Sequence, residues 1–250
     1  MSSPVRAQSF GEFSEHYARF RPGPPREVLD YLLPEGASAA VDVGAGTGNL
    51  TRLLLERVAE VSAIEPDARM RSVLADGAPG AQVLAGKAEQ MPLADGSQDA
   101  VVSSSAWHWV DPERAVPEAA RVLRSGGRLG AVWSSLDREV EWVSELWRSM
   151  RPSSDWPRAA SRERHGLRLP AGAAFGEVEG PHDIRYSLSF TAEDLLGLSG
   201  TYSAVIVQPP PQREEFLRGV GERLFADPRL ADGAALAVPM RAHCWRATRR

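Results

Sequence analysis

The sequence predicts an α/β fold built around a parallel sheet, and three observations carry that expectation. Five apolar, β-branched runs recur between residues 39 and 135, separated by stretches with helical spacing or turn signals. The first run passes directly into a glycine turn, AVDVGAGTGNLTRLL at residues 40–54, the strand–turn–helix step of a nucleotide-binding unit. After residue 135 the pattern changes, yet late strand-like runs remain, so the C-terminal part completes a sheet and does not read as an independent domain.

Each element has its own signal. GEFSEHYARF places Phe13, Tyr17 and Phe20 at helical spacing, and RPGPP ends that helix. REVLDYLL follows as a helix opened by Pro24 and Pro25, since proline suits a first helical turn. AAVDV is a buried strand, NLTRLLLERV its helix, VSAIE a second strand, and PDARMRSVLADG a helix closed by Gly77. AQVLAG and DAVVSSS are the third and fourth strands, with the loop MPLADGSQ between them. Asp111 is the expected N-cap of the next helix, with Pro112 in its first turn; Pro117 is expected to kink or restart it, and Gly126–Gly127 to stop it. RLGAVWSS is the fifth strand, and right-handed crossovers join the five.

Beyond residue 135, REVEWVSELWRSM is a helix and residues 151–172 are polar and irregular. DIRYSLSF alternates strictly, with Ile184, Tyr186, Leu188 and Phe190 on one face. TAEDLLGLSG comes close to a capping box, PQREEFLRGVGERLF is a helix, and ALAVPMRAHCWRAT is a last strand with Pro239 near an edge or bend.

The 250 residues are 43% hydrophobic and 25% charged, a balance that builds a core without disulfides or metal. A single cysteine, Cys244, points to a reducing, cytoplasmic setting, and the start of the chain has no apolar signal region. No apolar run is long enough to span a membrane, and none of the five histidines has metal-ligand spacing. The net charge of −4 argues against a nucleic-acid binder, although residues 158–168 and the terminal RATRR are locally basic.

The glycine turn reads Gly44-x-Gly46-x-Gly48, with Asn49 where a dinucleotide fingerprint has its third glycine. Asp42 stands two residues before the turn, and Glu65 ends the second strand at the distance of a ribose-binding acid. A carboxylate beneath the turn would repel a pyrophosphate. S-adenosylmethionine carries no phosphate; Asp42 can face its ammonium, directly or through water, while turn amides face its carboxylate.

VDVGAGTGNLTRLL, VSAIEPDARM, GKAEQMPLADGSQDAVVSSSAWHWVD and EAARVLRSGGRLGAVW together resemble the successive motifs of class I S-adenosylmethionine-dependent methyltransferases, in particular the type 11 group of small-molecule enzymes. The resemblance spans about residues 10–133. It implies a Rossmann-like, seven-stranded, mostly parallel sheet with an antiparallel last strand, and LAVPMRAHCWRAT fits that place. It implies one domain over residues 1–250, with N-terminal lid helices at 1–35 and a cap region at 136–180. Carried over by position, Gly44, Ala45 and Gly46 contact the methionine part of the cofactor, Glu65 the ribose and Pro66 one adenine face. Ala88 and Glu89 meet the adenine edge, and Ser104 lies under the methionine moiety. Tyr17 and Arg21, in YARFRPG, are candidates to reach the cofactor carboxylate from the lid; packing and a surface arginine are the competing reading.

Ligands of open α/β sheets bind beyond the carboxyl ends of the strands, so Trp107, His108 and Trp109 fall near the transferable methyl. Methyl transfer is an in-line displacement, and the protein has mainly to align the acceptor and exclude water. Where the acceptor must lose a proton, His108 is the candidate base; a substrate-orienting hydrogen bond is its other reading. Trp107, Trp109 and Trp133 suit the wall of a pocket for an apolar or aromatic acceptor, whereas Trp142, Trp147 and Trp245 read as core. Arg158, Arg162, Arg164 and Arg168 offer either a grip on a substrate carboxylate or a solvated loop. The expected partner is a small-molecule acceptor, with neither nucleic acid nor membrane. A metal-dependent variant would need acidic ligands clustered near the acceptor, for which Asp111 and Asp137 are the candidates. The alternatives are a non-catalytic S-adenosylmethionine-binding regulator and, less well supported, an NAD-dependent oxidoreductase.

Overall fold

The computed structural model describes residues 14–151 and 166–250. Phe13, Trp156, Arg158, Arg162, Arg164 and His165 therefore lie outside the described residues. The chain runs α1 (Ser14–Phe20), α2 (Val28–Leu32), β1 (Ala39–Val43), α3 (Asn49–Leu55), β2 (Glu60–Ile64), α4 (Ala68–Gly77), β3 (Gln82–Leu84) and β4 (Gln98–Ser104). A 3-10 turn (Trp107–Trp109) then leads to α5 (Pro112–Val122), β5 (Leu123–Leu136), α6 (Glu141–Ser149) and β6 (Glu179–Phe190). It closes with α7 (Ala192–Gly200), α8 (Ser203–Ile206), α9 (Pro210–Phe225), a second 3-10 stretch (Pro228–Gly233) and β7 (Leu236–Thr248).

The seven strands form one sheet in the order β3-β2-β1-β4-β5-β7-β6. The pairs β1–β2, β1–β4, β2–β3 and β4–β5 are parallel, and Val43, Ile64 and Leu84 stand level with one another. The carboxyl ends of these strands thus share one edge. β7 runs antiparallel to β5: the Asp137 N–H donates to Pro239 O at 2.9 Å, and the Arg249 N–H to Gly127 O at 2.8 Å. The expected sheet, antiparallel last strand included, is the one observed.

The described residues gather into two compact units, and the chain passes between them after α1 and again within β5, β6 and β7. The first holds residues 22–134, 166–184 and 242–250. β1, in the middle of its strands, is buried on both faces, as its unbroken burial shows. α5 packs Ala115, Val116, Ala119 and Ala120 against Val101, Leu129 and Trp133. Asp111 caps this helix, accepting the Glu113 N–H at 3.0 Å.

Two expectations about α5 need correction. The helix runs through Pro117 as one element. Pro117 is exposed, so water can satisfy the Glu113 carbonyl that its missing N–H leaves unpaired. Nor does Gly126–Gly127 stop the helix, which ends at Val122 because Leu123 already pairs opposite Gln98. Between Leu123 and Arg128 the strand bulges against only Gln98 to Ala100, and the glycines serve this bulge. Gly126 has φ +77°, and a Cβ on Gly127 would lie 2.9 Å from the carbonyl oxygens of Arg124 and Asp99.

The second unit holds residues 14–21, 135–151 and 185–241. Its core joins Leu136, Val143 and Leu146 to Leu195, Leu198 and Leu224. Thr191 and Asp194 close a full capping box at the start of α7. α1 packs on α7, with Phe20 filling the space a Cβ on Gly197 would need and the His16 ring nitrogen Nε2 bonded to Gly197 O at 3.0 Å. Trp142 and Trp147 pack on this core as expected, and the guanidinium groups of Arg138 and Arg151 lie over the Trp147 ring at 4.3 and 4.2 Å.

A buried ion pair anchors the unit: Arg241 Nη2 meets Asp137 at 2.8 Å and Glu139 at 2.5 Å. Arg241→Met should cost about 3 kcal/mol, because it leaves the buried Asp137 carboxylate with only the exposed Arg185 guanidinium, 3.4 Å away, as a cationic partner. Denaturant unfolding should show that loss, and the double substitution Asp137→Leu, Arg241→Met should recover most of it; additive losses would contradict this account.

Candidate functional site

The site grows from the carboxyl edge of the first unit's strands. β1 ends at Val43 and the chain turns through Gly44, Gly46 and Gly48, all at positive φ, before α3 begins. Gly44 is required by contact as well as conformation, since a Cβ there would stand 2.6 Å from Ala106 Cβ, in the segment after β4. The turn is bonded firmly to β2: Ile64 O accepts the N–H groups of Gly44 and Ala45 at 2.9 and 3.1 Å. Asn49, at the place of the third fingerprint glycine, is held by Arg52, which also donates to Thr47 O.

Two carboxyl groups sit against this turn. Glu65, buried just past the end of β2, accepts the Gly46 N–H at 2.9 Å through Oε2 and the Asp67 N–H at 2.9 Å through Oε1. Burial pushes its carboxyl above the usual range, against the pull of these amides. Asp42 is 1% exposed and accepts the Thr51 hydroxyl at 2.7 Å through Oδ2. Burial pushes it up to about 7, opposed by the Thr51 hydrogen bond and reinforced by the Glu65 charge. Among the described residues, Asp42 Oδ1 and the buried Thr47 hydroxyl have no hydrogen-bond partner, so polar atoms beneath the turn are left unsatisfied.

The other expected cofactor residues of the first unit lie at or after the ends of β2, β3 and β4. Pro66 is exposed and Ala88 is buried. Glu89 accepts the Asp111 N–H at 2.9 Å through Oε1, tying the loop after β3 to the start of α5. Ser104 ends β4, half-buried and level with Val132 of β5, and Ser105 follows at φ +55°. Tyr17 and Arg21 belong to the second unit, where the Arg21 guanidinium lies 6.0 Å from the Tyr17 ring and 5.6 Å from Tyr202.

The segment after β4 brings Trp107, His108 and Trp109 into one 3-10 turn. Trp107 is buried, and among the described residues its indole N–H has no hydrogen-bond partner. The Trp133 indole N–H donates to His108 Nδ1 at 3.1 Å. An indole nitrogen can only donate, so the lone pair of His108 lies on Nδ1 and the neutral ring carries its proton on Nε2. Trp245, expected as core, packs edge-on against Trp133 with ring centres 5.2 Å apart. Sequence reasoning missed Thr47 and Thr51; a hydroxyl inside the glycine turn and another one helical turn onward were the available signals.

The two acids considered for a metal are otherwise engaged, Asp111 as a helix cap and Asp137 in the Arg241 pair. Among the described residues no cluster of three or more His, Cys, Asp or Glu side chains is placed to hold a metal ion. Nor is any helix long and apolar enough to cross a membrane.

This strand order, with a glycine turn after β1 and an acid closing β2, defines a class I methyltransferase fold. The family model for a methyltransferase domain, type 11, matches residues 41–131. An uncharacterized methyltransferase of Mycobacterium tuberculosis is 41% identical over 240 residues, spanning 96% of this chain and 95% of its own length. A methyltransferase-like protein of Schizosaccharomyces pombe, also uncharacterized, is 28% identical over 92% of this chain and 91% of its own. The structure of a candidate type II methyltransferase from Anaeromyxobacter dehalogenans superposes with a TM-score of 0.68 at 25% identity, covering 92% of this chain and 98% of that one. The chain belongs to the class I methyltransferase family, in its type 11 group.

The raised Asp42 carboxyl carries a stability prediction. Its folded pKa, about 7, lies above the ordinary 3.8, so between those values the folded state binds more protons than the unfolded state. Stability should therefore fall as pH rises through that window and level off above it. Asp42→Asn keeps an acceptor for Thr51 without the charge. Its melting temperature relative to the parent should rise across the window; a constant offset would show that Asp42 is ionised throughout.

Proposed function

We propose that this chain transfers a methyl group from S-adenosyl-L-methionine to a small-molecule acceptor, with S-adenosyl-L-homocysteine as the other product. One observation carries the reading: two buried carboxyl groups, Asp42 and Glu65, flank a glycine turn that a side chain on Gly44 would block. This donor set suits a cationic nucleoside without phosphates. The unpartnered Asp42 Oδ1 favours an ammonium and would disfavour a pyrophosphate. The Thr47 hydroxyl is a buried donor for a carboxylate.

When bound, the cofactor supplies a methyl carbon already activated by its sulfonium. The chain's own part is to hold and orient. Each Glu65 oxygen has a second lone pair beyond the amide it accepts, enough to take a ribose hydroxyl. Exposed Pro66 offers a flat face to adenine, with Ala88 and Glu89 beside its polar edge. Gly44 and Gly46 would let the methionine part approach the backbone, and Ser104, at the end of β4, is the candidate to meet it there. Because Ile64 O already takes the Gly44 and Ala45 amides, the turn contributes close approach more than donors. Tyr17 and Arg21 remain candidates for the cofactor carboxylate, and Trp107, Trp109 and Trp133 for the acceptor wall. The net charge of −4 supports an acceptor other than nucleic acid.

The tautomer of His108 favours orientation over base catalysis. Its lone pair faces Trp133, and its Nε2–H is a donor suited to fixing an acceptor oxygen or nitrogen. His108→Ala should raise KM about tenfold with cofactor affinity unchanged. A fall in kcat of a hundredfold or more would restore the base role.

Calorimetry tests the central reading. S-adenosylmethionine and S-adenosylhomocysteine should bind, NAD should not, and Glu65→Ala should weaken both at least about tenfold. Binding of NAD in their place would sink the assignment. Acceptors would then be sought by product mass.

A further inference from the structure

In the first unit, five rings follow one another from the segment after β4, across β5, to β7. Trp109 and His108 are 4.5 Å apart between centres, His108 and Trp133 6.3 Å, Trp133 and Trp245 5.2 Å, and Trp245 and His243 6.2 Å. Trp109, His108, Trp245 and His243 are each partly accessible. The far end of the row is a hydrogen-bonded pair that the methyl-transfer reading does not use: His243 Nδ1 lies 2.6 Å from Asp183 Oδ1 on the edge strand β6.

An imidazole stands towards each end of the row, and their partners set them oppositely. His108 receives a hydrogen bond from a group that can only donate, which leaves Nε2–H as a donor. His243 faces a carboxylate, which accepts, so its proton sits on Nδ1 and its lone pair on Nε2. Among the described residues Nε2 makes no hydrogen bond, and the side chain is 16% exposed. A carboxylate behind an imidazole fixes this tautomer and balances the imidazolium that forms when the ring takes a proton. Between the two imidazoles lie the buried Trp133 ring and the partly open Trp245 ring, and the flat surface beside His243 suits an aromatic molecule bearing a hydroxyl.

We propose that this row binds an aromatic hydroxyl compound as the methyl acceptor and that His243 takes its proton. The idea rests on the methyl-transfer reading for its purpose, but not for its test. In the step itself the O–H bond breaks, both electrons stay on oxygen, and the proton passes to His243 Nε2. The resulting imidazolium holds an N–H on each nitrogen, opposite the Asp183 carboxylate, and the phenolate oxygen is the nucleophile.

The test uses the full chain and 3-nitrophenol, which is mostly unionised in water near pH 7 and turns yellow on losing its proton. The parent protein should bind the probe and shift its absorbance to the phenolate band. His243→Gln should bind it as the uncharged phenol, and Asp183→Asn should diminish the phenolate band. Unfolding curves should match the parent for both variants. The proposal is overturned if the parent leaves the probe unbound or unionised, or if His243→Gln keeps the phenolate band. An unchanged band in Asp183→Asn would overturn the role of the pair. Ionised probe without S-adenosylmethionine binding would refute the cofactor reading alone; cofactor binding without ionised probe would refute this proposal alone.

Discussion

The burial of two carboxyl groups at adjacent strand ends governs the shape of this site. Asp42 lies level with Ala63, one step before the end of β1, and Glu65 directly follows the last residue of β2. Removing a carboxyl group from water is costly, and each is compensated differently. Glu65 spends both oxygens on backbone amides and so locks the glycine turn to the entry of α4. Asp42 has one hydroxyl donor and is pushed towards its neutral form. A fold selected for stability alone would place an apolar residue at position 42. Keeping an acid there favours a site that must meet a cation, and the turn geometry, the α4 entry and the bonded Gly46 amide follow from holding the acids in place.

The histidines illustrate how far a partner determines chemistry. His108 and His243 start from the same imidazole, and neither sequence context nor exposure separates them. One accepts from an indole and the other donates to a carboxylate, which assigns their remaining nitrogens opposite roles. The aromatic row between them adds rigidity, because rings with few rotatable bonds lose little freedom when an acceptor is bound.

Much of the architecture could be read from the chain because local chemistry and global fold agree. β1 is buried at every position, as its apolar run implies, and the capping box at Thr191 forms in full. Ile184, Tyr186, Leu188 and Phe190 turn to the covered side of β6 while their neighbours are exposed, as the alternation requires. Glu65 lies where its spacing from Gly44 placed it. What escaped depends on pairing between distant segments. The bulge at Leu123–Arg128 is fixed by Gln98 and Ala100 across the sheet, so a double glycine reads locally as a helix stop. Ile64 O takes two turn amides that local reasoning leaves for a ligand. The Trp133–His108 bond spans 25 residues, and no local pattern announces it.

The two units are interleaved in the chain, and this bears on biosynthesis. The first unit gains its glycine turn early, but its core includes Ala247, and the bulge at Gly126–Gly127 is closed by the backbone of Arg249. On the ribosome, residues 22–134 emerge well before the strand that finishes their packing, and they must wait with Trp133 lacking its Trp245 neighbour. Vectorial synthesis therefore cannot fold this unit to completion as its early residues appear. Dividing the gene between the units would give no self-sufficient fragment, because neither is a single stretch of message.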